Sequence, residues 1–331
     1  MTKNTVSTPA KWWPRIISGA IILIILVGCF FLRELSEYIF DLLIGTIMII
    51  CAYEVENLLH KMDRPTWSVC VGFFPVLSFM MIIIATNVGL NFYHFILINL
   101  GILFIMFLVM FALPLIFWKW GKKRKVEDGY SSSTAFYSLS KAMNTVFVCL
   151  WPTFFLSFAF ILNHFGQMDF ANGVTSAYST SGVDFGLLAL IMLFVTSMFA
   201  DTFAMLTGRL LKGPKINLEK LGPGKSWSGL IGGVVGATVA SLIIFTIFNS
   251  IPVYNQMFSA LNISVWTFLF GGIFSGVFNM CGDLFSSLFK RRAVVKDFSQ
   301  IIPGHGGVMD RCNGLLANAI FVFIFFIILF V

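Results

Sequence analysis

Three aspartates stand out in a chain of which only 11% is charged: Asp201 in "FADTFAMLTGRLLKGPK", Asp283 in "CGDLFSSLFKRR" and Asp310 in "PGHGGVMDRCNG". Basic residues follow each one: Arg209 and Lys225 after the first, Lys290, Arg291 and Lys296 after the second, Arg311 after the third. Carboxylate oxygens suit a hard cation such as Mg2+, which is commonly held by one or two carboxylates and substrate phosphates. Lysine and arginine hold the phosphates themselves. This inventory points to phosphoryl or nucleotidyl transfer, chemistry that rests on positioning and on neutralising charge. A phosphate nucleophile is already ionised at neutral pH, so no histidine base or serine triad is required.

The spacing adds detail. Asp310 and Asn313 are three apart and share one helix face, and Asp201, Asp283 and Asp310 are the carboxylates that could hold a hard cation, with the Asn313 oxygen as a further metal ligand beside Asp283 and Asp310 if the metal sits there. Gly304, Gly306 and Gly307 predict a tight turn around His305, whose partner is either a phosphate or a backbone carbonyl. In "GPGKSWSG" the glycines expose backbone N–H groups, Lys225 adds a point charge, and a helix is expected to start at Ser226 or Trp227, an arrangement that attracts phosphate. It is not a P-loop: Glu219 stands where the first glycine belongs, and no strand precedes it.

The elements that must carry these residues are membrane helices. Of 331 residues 58% are hydrophobic and 39 are Phe, well beyond a soluble domain. The apolar runs approach the ~20 residues a helix needs to span a bilayer, and the short alternating segments of a membrane barrel are absent. We therefore expect an all-α integral membrane protein with about nine transmembrane helices, near residues 16–32, 38–53, 66–86, 92–118, 143–163, 185–207, 227–249, 264–281 and 312–331. The first run follows Lys3, Lys11 and Arg15 without a small-residue cleavage site, and is read as a retained anchor.

With the N-terminus inside and the C-terminus outside, 21 of the 22 Lys and Arg residues fall on the cytoplasmic side, and only Arg33 does not. The net charge of +7 then faces anionic lipid headgroups rather than nucleic acid. The polar site is expected to face the cytoplasm from the C-terminal half, with residues 1–165 as a transmembrane scaffold and 166–331 as the catalytic region. Asp201 lies about 24 Å into the sixth span, near its cytoplasmic edge. The pairs Leu284/Leu288 and Phe285/Phe289 predict an amphipathic helix lying along the interface. Gly229/Gly233, Gly232/Gly236 and Gly272/Gly276 are spacings for close helix packing. The block Lys122 to Lys125 orients helices, and the six cysteines, with no C-x-x-C pair, read as structural thiols rather than a zinc site.

The run S-x-x-K-R, then K-D, then P-G-H-G-G-V-M-D-R resembles the signature of the phosphatidate cytidylyltransferases (CDP-diacylglycerol synthases). Upstream, D-x-x-A, G-R and K-S-W follow the family's order, with weaker support from "RIISGAIILI" and "AYEVENLL". The resemblance covers Asp201 to Asn313. It implies transfer of CMP from CTP to phosphatidic acid, giving CDP-diacylglycerol and pyrophosphate in phospholipid biosynthesis. It also implies Mg2+ dependence with a possible second cation (K+ or Mg2+), a homodimer, and a multi-pass protein of the bacterial cell membrane. Asp283 and Asp310 match the family's metal-binding aspartates, and Asp283, Asp310, Lys290 and Arg311 are the expected catalytic set. Asp201, Arg209, Lys225, Ser226, Arg291, Lys296, His305, Gly306 and Gly307 are the expected substrate-binding set.

The sequence departs from the family at Asn313 (usually Asp), at Ser286 and Ser228 (usually Glu), at Met205 (usually Tyr) and at Gly222 (usually Ser). These departures keep open a non-catalytic nucleotide- or lipid-binding paralogue. A CTP-dependent lipid kinase would need the same groups and would release CDP instead of pyrophosphate. An ion transporter would place its charges near the bilayer midplane, whereas these gather toward one face.

Overall fold

The computed structural model describes residues 13–116, 134–167, 182–211, 213–214, 225–302 and 306–330. Helices α1 (Trp13–Arg33), α2 (Glu37–Lys61), α3 (Ser68–Val88) and α4 (Phe92–Ile116) are followed by α5 (Thr134–Val148) and α6 (Phe155–Asn163), joined by a π-helical turn at Cys149–Phe154. Then come α7 (Phe185–Leu210), α8 (Trp227–Asn249), the short α9 (Pro252–Ala260), α10 (Val265–Arg292) and α11 (Met309–Phe330). Among the described residues there is no strand; an isolated bridge joins Ile302 and Gly306.

Eight helical stretches are long and apolar enough to cross a membrane, and the described part of α1 adds a shorter apolar stretch, Gly19–Arg33. This is a multi-pass membrane protein. Its exposed surface is rich in Ile, Leu, Val and Phe, such as Phe31, Val69, Leu97, Ile231 and Ile328, as lipid-facing helices require. Phe40, Phe160, Phe165, Phe185 and Phe326 fill the interior. All six cysteines are free thiols.

In lipid, helices gain little from burying apolar surface and associate where small residues let backbones approach. The glycines of α8 do this: a Cβ on Gly232 or Gly236 would strike Thr207 or Phe203 of α7. On α10, Gly272 and Gly276 meet Thr238 and Val234 of α8, while Gly282 lies against the Asn313 carbonyl of α11. The small-residue spacings thus draw α7, α8, α10 and α11 together, and these four helices carry the three aspartates.

One sequence expectation is corrected. The amphipathic stretch after residue 281 is no separate interfacial helix; α10 runs unbroken to Arg292. Neither Pro nor a helix-breaking turn interrupts it, and Phe289 packs against Phe147, Trp151 and Phe298. Asp283 and Lys290 therefore ride on a rigid extension of a membrane helix. Similarly, α2 continues about two turns beyond the apolar run expected to end near residue 53, because Glu54 and Glu56, both buried, find partners inside the protein.

Candidate active site

A cavity of about 390 Å³ opens where these four helices converge, and Asp201, Asp283 and Asp310 all line it. Arg209, Lys225, Ser226, Arg311 and Asn313 line it too, so the fold unites most of the residues singled out from sequence. Ala204, Met205, Leu230 and Met280 make its apolar side. Arg291 and Lys296 are exposed and do not line it. His305 lies outside the described residues.

Lys225 precedes α8 and spans to α10. Its Nζ donates to Asp283 Oδ2 at 2.6 Å and to the Asp283 backbone carbonyl at 2.9 Å. Burial pushes the Lys225 ammonium below the usual lysine range, while the Asp283 carboxylate opposes that shift. Next to it, Ser226 is the N-cap of α8, accepting from Gly229 N at 3.2 Å. The short polar side chain satisfies an amide that the first helical turn leaves without an internal partner.

Asp310 sits in the first turn of α11, 5% exposed at its side chain. Lys290 Nζ donates to its Oδ1 at 2.7 Å. Its Oδ2 accepts from the backbone N–H groups of Phe298 and Gly307, each at 2.9 Å. Of the expected glycine turn, Gly304 lies outside the described residues; Gly306 takes φ +86°, open to glycine without strain, and the Gly307 amide next to it points to Asp310. Phe298 is anchored by its ring against Trp151 and Phe289. Lys290 and Gly307 thus bond Asp310 directly, and neither they nor Gly306 line the cavity.

Sequence reading missed two residues. Glu54 of α2 is 1% exposed, and its Oε1 accepts from Ser299 Oγ at 2.6 Å and Val308 N at 3.0 Å. Its Oε2 accepts from Met309 N at 2.8 Å. Asn279 of α10, fully buried, donates Nδ2 to Asp201 Oδ1 at 2.9 Å and occupies the space that Gly314 leaves on α11. A glutamate inside an otherwise apolar run was the available signal for the first; nothing local marked the second.

Among the described residues, no three His, Cys, Asp or Glu side chains form a group able to enclose a metal. Asp283 and Asp310 nonetheless line the cavity with Asn313, whose Oδ1 is buried and has no hydrogen-bond partner. That donor set fits Mg2+, which completes its octahedron with phosphate and water oxygens. Of the three positions where the resembled family carries a carboxylate and this chain does not, only Asn313 lines the cavity. Ser286 is buried on α10, and Ser228 Oγ is engaged with Ser226 Oγ and Gly213 N.

A family model described as the cytidylyltransferase family matches residues 13–329. Similar proteins include the phosphatidate cytidylyltransferases of Rickettsia conorii, 38% identical over 136 residues (41% of this chain, 56% of that protein), and of Haemophilus influenzae, 37% identical over 145 residues (43% and 48%). That of Brucella abortus is 33% identical over 141 residues, 43% of this chain and 47% of its own. The chain spans about half the length of the curated relatives it matches.

Proposed function

The chain belongs to the cytidylyltransferase family, and we propose that it transfers CMP from CTP to phosphatidic acid, forming CDP-diacylglycerol and pyrophosphate. The observation that carries this reading is the convergence of two Lys–Asp pairs, Lys225–Asp283 and Lys290–Asp310, with Arg209 and Arg311 around one cavity at the end of the helices. Lys225 lines the cavity and stands ready to exchange its carboxylate for phosphate oxygen, while Lys290 stays with Asp310.

In the proposed reaction an ionised phosphate oxygen of phosphatidic acid attacks the α-phosphorus of CTP in line. The new P–O bond forms as the bond to the bridging oxygen of the β-phosphate breaks, and pyrophosphate leaves with that electron pair. No proton must be removed, so the step requires no general base. Lys225, Arg209 and Arg311 bind and orient phosphates, and Lys290 keeps Asp310 in place. Mg2+ held by Asp283, Asp310 and Asn313 would supply neutralisation of the triphosphate charge, with K+ or a second Mg2+ as a further cation.

The apolar side formed by Met205, Leu230 and Met280 would leave the acyl chains among the helices. The topology that goes with this reading has nine spans, α1 being the first, with the N-terminus inside, the C-terminus outside and the cavity facing the cytoplasm across the cell membrane. A homodimer is the assembly the family resemblance implies.

The test is pyrophosphate release by purified protein in detergent–lipid micelles given CTP, phosphatidic acid and Mg2+. Release that stops when any one is omitted, with CDP-diacylglycerol as product, supports the reading. CDP release in place of pyrophosphate would assign a lipid kinase instead.

A further inference from the structure

Resting on that reading, we propose that Glu54 is a positioning residue for the reaction, which sets Asp310 through two short stretches, 298–299 and 307–309. The argument starts from hydrogen-bond demand. The first amides of a helix have no internal acceptor, and a carboxylate placed there also meets the positive end of the helix dipole. At α11 the carboxylate comes from another helix more than 240 residues away in sequence: Val308 N and Met309 N both donate to Glu54. Ser299 Oγ, on the other limb of the same loop, donates to it as well. One buried side chain therefore clamps both limbs of the loop against α2.

Asp310 is held from within that clamp. Its Oδ2 accepts from Phe298 N, one residue before Ser299, and from Gly307 N, one residue before Val308. Every backbone amide that fixes the catalytic carboxylate is thus adjacent to a group that Glu54 fixes. The turn also fits no other residue at 307, because a Cβ there would collide with the Glu54 carboxylate. All three groups facing Glu54 are donors. Replacing one carboxylate oxygen by NH2 turns at least one of these contacts into donor against donor, with almost no change in shape.

The experiment compares wild type, Glu54→Gln and Ser299→Ala in detergent–lipid micelles by two readouts. The first is kinetic. Glu54→Gln is expected to lower kcat by about 10- to 100-fold, as loss of a ligand-orienting partner does, and to raise the half-saturating Mg2+ concentration. The KM for CTP at saturating Mg2+ should hold, and Ser299→Ala should move the same quantities less. The second readout is amide hydrogen exchange of metal-free protein. Exchange should accelerate on the order of 10-fold at residues 298–302 and 306–309 and stay unchanged in α7 and α8.

Folded Glu54→Gln protein with wild-type exchange in the loop, or with wild-type kcat and Mg2+ dependence, overturns the proposal. Acceleration spread evenly over the bundle also overturns it, since that marks a general stability role. If wild type itself releases no pyrophosphate, the reaction reading falls, and loop exchange alone decides whether Glu54 holds Asp310's amides. Should Glu54→Gln fail to fold, Gly307→Ala presses on the same contact from the other side: local acceleration supports the proposal and unchanged exchange overturns it.

Discussion

Lys225 places its ammonium 2.6 Å from Asp283 Oδ2 while also reaching the Asp283 backbone carbonyl at 2.9 Å, so one lysine satisfies two acceptors of a single residue. This ties the start of α8 to α10 across the mouth of the cavity. It also leaves the ligand-free site charge-paired, since Lys290 answers Asp310 in the same way. On the proposed reading, binding a triphosphate and a cation would exchange partners at one pair, Lys225 moving to phosphate and Asp283 to metal, while Lys290 stays with Asp310.

Lys225 should therefore report on catalysis through its protonation. Burial lowers its pKa, so the ammonium is lost at a lower pH than for an ordinary lysine near 10.4. The alkaline limb of kcat/KM for CTP is expected below that value, with activity falling as pH rises through it. Lys225→Arg, which keeps its charge at any accessible pH, should remove the limb even if its rate is lower. A pH–rate profile of both proteins checks this, and an identical limb in Lys225→Arg would assign it to another group.

Asp310→Asn should lower turnover on the order of 10³-fold, the scale of losing a charged group aimed at the reacting centre. The same change also unsettles the fold, because the Asn NH2 would confront either the Lys290 ammonium or the N–H groups of Phe298 and Gly307. We expect a stability loss of about 1–3 kcal/mol, the cost of leaving a buried group unsatisfied. Pyrophosphate release and thermal unfolding, measured on the same preparation, separate the two effects. Full activity would remove Asp310 from the mechanism.

Much of the site was legible because its charged residues stand out against an apolar background. Asp201, Asp283 and Asp310 drew attention by type alone, and the glycine spacings on α8 and α10 announced the packing that gathers them. Hydropathy failed where helices continue past the lipid-like stretch. The last turns of α10 read as a separate amphipathic piece, since pattern alone does not say whether a helix bends at its interface. Glu54 was hidden for a different reason: its partners lie 245 to 255 residues away, and no local pattern encodes such a contact. Asn279 became visible only when α11 brought Gly314 against it.

At the opposite end of the helices from the cavity, His164 is 1% exposed between two carboxylates of α2, with Nε2 2.6 Å from Asp41 and Nδ1 2.9 Å from Glu37. Burial alone would lower its pKa, but the bonds to Asp41 and Glu37 outweigh it and raise the value to about 10. A histidine raised above its unfolded value near 6.5 adds stability that is complete below about pH 6.5 and is lost as pH rises through about 10. Unfolding measured from pH 6 to 10 should show that decline. His164→Gln should flatten it and cost about 3 kcal/mol at neutral pH, because Asp41 then stays buried without a cation. A wild-type slope in His164→Gln would place the titration elsewhere.

Asn313 gives the sharpest test of how the charge-paired site accepts a cation. It lines the cavity beside Asp283 and Asp310, and its Oδ1 is buried with no hydrogen-bond partner. A neutral oxygen there adds a ligand without adding charge, so of the three proposed ligands only Asp283 and Asp310 are carboxylates. Asn313→Asp should tighten Mg2+, lowering its half-saturating concentration by about 10-fold, since ligand charge is a main determinant of affinity for hard cations. The same substitution adds a fourth carboxylate to a cavity that Asp201, Asp283 and Asp310 already line, so metal-free protein should lose about 1 kcal/mol of stability and regain it when Mg2+ is added. Titration of pyrophosphate release against Mg2+, paired with melting curves at each concentration, reads both effects. An unchanged Mg2+ requirement with uniformly lower stability would place the cation away from α11 and leave Asn313 as a packing residue of the cavity wall.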